Sequence, residues 1–178
     1  MKKILCLVLL LVFLAALILG GCARAGSALN GSGKIVDKVI KTKEFNMISV
    51  KGAFTIDIQQ ADSCSVVLST DENLIGRIRI SVERKTLKLS IEAPATFFPT
   101  KLKLAISMPS LIGLNLSGGA KSTINSFKLS DPFSLFLAEK SSLTGTLQAG
   151  SSSFHLSGAS TVHLAGSGDE LDLTSLEG

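Results

Sequence analysis

The chain contains 178 residues, with 18 basic and 14 acidic side chains and neither Trp nor Tyr. Lys2 and Lys3 supply two of the basic residues, so the rest of the chain is nearly neutral, with 16 basic and 14 acidic side chains. This balance gives no reason to expect a nucleic-acid-binding protein. Only one Cys, Cys64, lies beyond position 22, which excludes a disulfide framework.

The first 22 residues have the pattern of a bacterial lipoprotein signal. Two lysines precede an uncharged run over residues 4–19, which is long enough for export but short for a membrane-spanning helix. The run ends in Leu19, Gly20, Gly21 and Cys22, a segment that resembles the lipobox of bacterial lipoproteins. The resemblance implies cleavage of a signal peptide at 1–21 and acyl chains on Cys22, which would anchor the protein stably in a membrane.

Three alternatives remain open for this segment. The sequence Ala23-Arg24-Ala25 fits the small-x-small rule of the ordinary signal peptidase, which would release a soluble protein. The apolar run could also stay uncut as a membrane anchor, or Cys22 could be incidental. We favour the lipoprotein, and because Ala23 is not the Asp of an inner-membrane retention signal, we expect the outer membrane if the cell is Gram-negative, on either its periplasmic or its surface face.

Two kinds of segment follow the anchor. Residues 22–34 are rich in Gly, Ser and Ala, which predicts a lipidated N-terminus with a flexible linker. From Glu44 onward apolar and polar residues alternate, which predicts half-buried strands. These strands are centred on residues 47–50, 54–58, 66–68, 78–82, 87–91 and 102–106. The one helix-like piece is DENLIG at 71–76, with Asp71 as the predicted N-cap and Gly76 as the predicted end.

The C-terminal half contains a repeat of about 19–21 residues. Ser122, Ser141 and Ser160 recur at intervals of 19, and an apolar pair precedes each of them. The pairs are Leu114/Leu116, Leu135/Leu137 and Phe154/Leu156, with Leu171/Leu173 as a fourth. The repeat predicts an all-β fold whose N-terminal strands lead into a parallel β-helix-like stack of coils. An antiparallel sandwich is the main alternative, and because the chain stops partway through a coil, we expect a C-terminal truncation.

Three segments resemble a known family. They are FxxIxVxGxFxIxI at 45–58, MPSL at 108–111 and LSGAS at 156–160. The pattern is similar to that of the head GIN domain family, whose members carry the label autotransporter adhesin. The resemblance implies a single β-helix-like domain over 35–178, on an exported and often lipidated bacterial protein.

A candidate binding face is basic. Arg77, Arg79, Lys101 and Lys103 alternate with apolar residues on neighbouring predicted strands, so we expect them to share an outer face. Such a face would attract anionic headgroups, lipid A phosphates or acidic polysaccharide. The alternative is a solvated face that protects the edge of a sheet.

Catalytic and metal-binding patterns are weak in this sequence. No Gly-x-Ser-x-Gly elbow occurs, and the carboxylates of the C-terminal half are scattered. His155 and His163 lack partners at ligand spacing, and both are expected to point outward. The sequence therefore predicts no catalytic residue, no metal and no cofactor.

Together these features predict a non-catalytic lipoprotein of the cell envelope that acts as a binding or adhesion module. The expected partners are the membrane, through the lipid, and a glycan or surface protein, whereas no nucleic acid is expected. A carbohydrate-active enzyme of β-helical type and a structural or stress-related periplasmic lipoprotein are the alternatives. The sequence does not indicate an oligomeric state.

Overall fold

The computed structural model describes residues 28–92 and 97–176, so the predicted signal peptide and Cys22 lie outside the described residues. The chain forms strands connected by short turns, with one 3₁₀ helix at Glu72–Arg77. The strands are β1 Leu29–Asn30, β2 Ile35–Ile40, β3 Met47–Lys51, β4 Thr55–Gln60, β5 Ser65–Asp71, β6 Ile78–Glu83, β7 Thr86–Ile91, β8 Phe97–Phe98, β9 Leu102–Met108, β10 Gly113–Ser117, β11 Lys121–Lys128, β12 Phe133–Leu137, β13 Ser142–Gln148, β14 Ser151–Ser157, β15 Thr161–Ser167 and β16 Glu170–Leu176.

Two large sheets contain nearly all of these strands. The first sheet has the order β16-β14-β12-β10-β3-β7-β6, and the second has the order β15-β13-β11-β4-β9-β5-β2. Pairing is parallel except between β6 and β7, β2 and β5, and β5 and β9. The prediction of an all-β fold is confirmed, and mainly antiparallel pairing, the alternative, is not observed.

Consecutive strands of the C-terminal half lie alternately in the two sheets. The strands β10, β12, β14 and β16 lie in the first sheet, while β11, β13 and β15 lie in the second. Parallel register places Leu114 beside Leu135, and Leu135 beside Phe154. Equivalent apolar residues therefore stack along the sheet, as the apolar pairs in the sequence predict.

The space between the sheets is filled by aliphatic and Phe side chains. Buried residues from both sheets form one cluster, in which Phe54, Phe127 and Phe133 are fully buried. Burying a side chain of this kind stabilises the fold by roughly 1.5–3 kcal/mol. At the end of the stack Phe133 packs edge-on against Phe154, with ring centroids 6.1 Å apart. Burial decreases beyond this pair, and Leu171 and Leu173 on β16 are exposed.

The serine repeat differs from the strand register. Lys121 pairs with Ser142, 21 residues later, whereas Ser142 pairs with Thr161, 19 residues later. Ser122 therefore lies beside Leu143 and not beside a serine. The longer first interval includes a bulge in β11 between Ile124 and Phe127, where one strand holds an extra residue. The expectation of three serines in register is wrong for Ser122.

Tight corners connect the first sheet to the second. The paired positions Gly118–Gly119, Glu139–Lys140 and Gly158–Ala159 all have left-handed backbone with positive φ. The corners bond to one another, since Gly119 N donates to Glu139 O at 2.9 Å and Lys140 N donates to Gly158 O at 2.8 Å. Small residues were expected at every corner, but the middle corner holds two charged residues in a conformation that costs roughly 1–2 kcal/mol per residue.

The predicted flexible linker overlaps the fold. Within residues 22–34, Leu29–Asn30 form β1, which pairs in parallel with β8. Residues Ile35–Ile40, which lack a clear period in the sequence, form β2 at the edge of the second sheet. Ordered structure therefore begins before the predicted domain boundary at 35. Among the residues with described structure, no helix is long and apolar enough to span a bilayer.

Replacing Gly145 by Ala tests the register between β11 and β13. Gly145 has φ +136°, and an added Cβ would lie 1.9 Å from the carbonyl oxygen of Ile124 on the neighbouring strand. We expect Gly145→Ala to lower the free energy of unfolding by about 3 kcal/mol or more, measured by urea denaturation. The control is Gly76→Ala, where no atom lies within 4 Å of the added Cβ. Equal effects of the two substitutions would contradict the register.

Candidate binding face

The outer surface of the first sheet carries a row of aligned side chains. Parallel register places Asn115 beside Phe136, Phe136 beside His155, and His155 beside Thr174. Because side chains alternate between the two faces of a strand, these residues point away from the buried neighbours of each strand. The result is a polar row interrupted by two rings, which we call the aromatic row.

The two rings of the aromatic row stack on each other. Phe136 and His155 have ring centroids 5.8 Å apart and ring planes only 9° from parallel. Phe136 is 41% exposed, which is unusual in a chain whose other described Phe side chains are mostly buried. Ser134 and Ser153 are aligned with each other two residues before the rings, and both are exposed. The row therefore combines an exposed apolar surface with hydroxyl and amide groups.

The predicted basic face is divided between the two sheets. Arg79 projects from β6 at the edge of the first sheet, and Arg77 ends the 3₁₀ helix just before it. Lys103 lies on β9 in the second sheet, and Lys101 precedes that strand. The four residues do not share one outer face, because the sheets pack with their buried faces together. The alternation of charges was read correctly along each strand, but neighbouring strands in the sequence belong to different sheets. Binding of an anion to any of these residues stays a prediction.

Two of the four basic residues form ion pairs. Arg79 bonds to Glu92, and Lys103 Nζ lies 2.6 Å from Asp57 Oδ2. The hydrogen bond from Arg79 lowers the pKa of Glu92 below its usual range, and the same bond raises the pKa of Arg79. Exposed pairs of this kind stabilise a fold by at most about 1 kcal/mol. Arg77 and Lys101 are exposed and form no ion pair with any residue in 28–92 or 97–176.

A buried carboxylate ties the N-terminal segment to the fold. Asp71 is fully buried, and its oxygens accept backbone N–H bonds from Gly33 and Thr100, both at 2.8 Å. The predicted N-cap role is wrong, because Asp71 makes no hydrogen bond to the helix that follows it, and that helix ends at Arg77 and not at Gly76. Asn73 adds two bonds, donating to Asn30 O and accepting from Ser32 N. We call residues 28–34 the strap, and Asp71 with Asn73 the clasp.

The clasp has a definite charge state. Burial raises the pKa of the Asp71 carboxyl, but bonds from the backbone of Gly33, from Thr100 and from the backbone of Lys101 lower it, and the result is a pKa below the usual 3.8. A carboxylate accepts the three backbone donors more strongly than a neutral acid does. Asp71 is therefore ionised at neutral pH, without a basic side chain among its hydrogen-bonding partners.

The candidate nucleophiles and metal ligands are dispersed. Ser122 and Ser141 are buried in the stack, and their hydroxyls have no hydrogen-bond partner among the described atoms. His155 lies on the first sheet, whereas His163 is exposed on the second. Within residues 28–92 and 97–176, no three His, Cys, Asp or Glu side chains lie close enough to hold a metal ion.

A cavity of about 410 Å³ lies at the edge of the sheets where β3 and β5 begin. Its lining includes Glu44, Asp62, Lys85 and Cys64, whose Sγ lies 3.5 Å from the carbonyl oxygen of Phe45. No ion pair or side-chain hydrogen bond to a described residue holds the two carboxylates or the lysine in place. This cavity is where the described residues come nearest to an arrangement of acids and a base.

The fold and these surfaces agree with a comparison of the sequence with protein families. A family model described as "Putative auto-transporter adhesin, head GIN domain" matches residues 44–178. The chain belongs to the head GIN domain family. The resemblance seen in the sequence segments at 45–58, 108–111 and 156–160 is thereby confirmed. A search of curated proteins finds no match to this head GIN domain.

Solved structures share the fold of this head GIN domain. A structure from Parabacteroides distasonis ATCC 8503 named "Putative lipid binding protein" is 15% identical, with a TM-score of 0.54 over 83% of this chain and 100% of the other. A "putative adhesin" from Bacteroides fragilis NCTC 9343 is 18% identical, with a TM-score of 0.51 over 82% of this chain and 100% of the other. At such identities the likeness shows the fold alone.

Sequence reasoning missed the two features that organise this head GIN domain. Phe136 lies between two inward leucines, so the alternation alone places it outward, but only the register of β12 and β14 shows that it meets His155. The clasp joins residues 29 to 38 positions apart in sequence, and an acidic residue before a short helix is more often an N-cap. Neither contact leaves a local signal.

The clasp gives a prediction about pH. Since the pKa of Asp71 is depressed in the folded chain, its carboxylate stabilises the clasp above the unfolded value, and this contribution is lost as the pH falls below 3.8. We expect the Gly33 amide to lose its protection from hydrogen exchange in this range, before the Gly119 amide, which bonds to a backbone carbonyl. Asp71→Asn should remove the protection at neutral pH, whereas the exposed Asp131→Asn should not. Protection of Gly33 that follows Gly119 at every pH would contradict the role of the clasp.

Proposed function

We propose that this head GIN domain is exported, carries a lipid on Cys22, and binds an envelope or host partner without transforming it. Membership of a family labelled as adhesins supports an exported or surface role. The signal pattern through Leu19, Gly20, Gly21 and Cys22 supports the lipid anchor. In this proposal the alternating strands form a β-helix-like coil, a scaffold that presents long flat faces.

The observation that carries the binding role is the aromatic row. An exposed ring on a flat sheet offers an apolar surface without a core to fill, and Phe136 and His155 together offer two such rings side by side. Binding sites typically combine apolar and aromatic surface with a few placed polar groups. Asn115 and Thr174 supply these at the ends of the row.

A glycan is the partner that this chemistry fits best. The C–H face of a sugar ring can lie against the Phe136 ring, while its hydroxyls exchange hydrogen bonds with the amide of Asn115 and the hydroxyls of Ser134 and Ser153. The strands of a sheet are about 4.8 Å apart, close to the length of one sugar unit, so a short glycan can follow the row from strand to strand. Binding in this manner requires no catalytic group.

The anchor is tested by labelling cells with radioactive palmitate. Cys22→Ala should abolish the label, whereas Cys6→Ala, which changes the other Cys of the predicted signal region, should retain it. N-terminal sequencing of the mature chain provides a second measurement. A mature chain that begins at Gly26 would instead indicate cleavage after Ala25, and either that result or label on Cys22→Ala would contradict the anchor.

The aromatic row is tested on a glycan array. We expect Phe136→Ala to weaken binding of any glycan that the unaltered chain retains by about tenfold, equivalent to roughly 1.4 kcal/mol. The control is Val39→Ala, because Val39 is an exposed apolar residue on the second sheet. Unfolding midpoints would check that both variants fold. Equal binding by Phe136→Ala would contradict the role of the row, and turnover of the glycan that Glu44→Gln removes would contradict a binding-only function.

A further inference from the structure

The strap enters the fold at a fixed point. Leu29 pairs with Phe97 and Asn30 pairs with Phe98, and Gly31 N then donates to Phe98 O at 2.9 Å. The clasp joins both partners, because Asp71 accepts bonds from Gly33 on the strap and from Thr100, two residues beyond Phe98. The strap and the segment that follows β8 are therefore held together as one unit.

The length of chain between Cys22 and the strap limits its distance from the lipid. Cys22 and Ala28 are six positions apart, and an extended chain spans at most about 3.6 Å per residue. The two residues are therefore within about 22 Å of each other. A lipid on Cys22, as proposed above, would keep the strap and its neighbours close to the headgroups.

The surface beside the strap has the composition of a membrane-contacting surface. Phe98 is 57% exposed, even though it is a large apolar side chain. Lys101 follows it, Arg77 ends the helix that begins at the clasp, and both are exposed cations without an ion-pair partner among the described residues. Exposed aromatic side chains with neighbouring basic residues are typical of segments that lie in the interface of anionic bilayers.

We propose that Phe98, Lys101 and Arg77 form a contact surface for anionic phospholipid headgroups in the membrane that holds the anchor. This inference rests on the lipid anchor of the proposed function and adds the orientation of the domain. The ring of Phe98 inserts among the headgroups, and the two cations lie against their phosphates. The clasp makes the contact possible, because it prevents the strap from separating from Phe98 and letting the domain turn freely.

Fluorescence of a labelled chain tests this contact. The full lipidated chain, in a Cys64→Ser background, receives one thiol through Phe98→Cys or, as the control, Gln148→Cys, which is exposed at the end of β13. Each is labelled with an environment-sensitive dye and reconstituted into vesicles of phosphatidylcholine, with or without phosphatidylglycerol. Spin-labelled lipid serves as the quencher, and palmitate label is measured on the same preparation.

We expect a blue-shifted emission at position 98 and quenching severalfold greater than at position 148, strongest with phosphatidylglycerol. Arg77→Glu with Lys101→Glu should remove the dependence on phosphatidylglycerol, whereas Lys121→Glu with Lys128→Glu should retain it. Equal quenching at 98 and 148 on a palmitate-labelled chain would overturn the contact and leave the anchor standing. A chain without palmitate would overturn both.

Discussion

Parallel pairing of each strand with its equivalent in the next pair of strands is the constraint on which the structure depends. Because the register is direct, Leu114, Leu135 and Phe154 stack inside and Asn115, Phe136 and His155 stack outside. The inner row contributes to the buried core, and the outer row brings two rings into contact. A shift of one residue would exchange the two rows and expose the core. The same pairing thus stabilises the domain and forms its candidate binding surface.

The clasp extends this order to the N-terminal segment. A buried carboxylate is costly unless its oxygens are bonded, and Asp71 is supplied with backbone donors from the strap and from the segment before β9. Three distant stretches of chain are fixed by this one side chain. The aromatic row depends on strand pairing alone, so a change at the clasp should alter membrane contact and leave the outer face intact. Anchoring and binding are therefore separable functions of one domain.

Much of this fold can be predicted from local pattern. Alternation of apolar and polar residues identifies β3, β4, β6, β7 and β9, and the repeat identifies the stacked strands of the C-terminal half. Register is harder, because the bulge after Ile124 lengthens one repeat and moves Ser122 out of line. The basic residues illustrate the same difficulty, since Arg79 and Lys103 are on similar strands that belong to different sheets. Contacts between distant segments, such as that of Asp71 with Gly33, follow from the folded topology and leave no periodic signal.

The register of β10 and β12 is the most direct test of this account. In a Cys64→Ser chain, Asn115→Cys with Phe136→Cys places two thiols on directly paired residues about 4.8 Å apart, whereas Asn115→Cys with Ser134→Cys follows a uniform repeat of 19. The measurement is the yield of internal cross-link with a short thiol reagent such as dibromobimane. The account predicts rapid cross-linking of 115 with 136 and little of 115 with 134. The reverse order would contradict both the stack and the aromatic row.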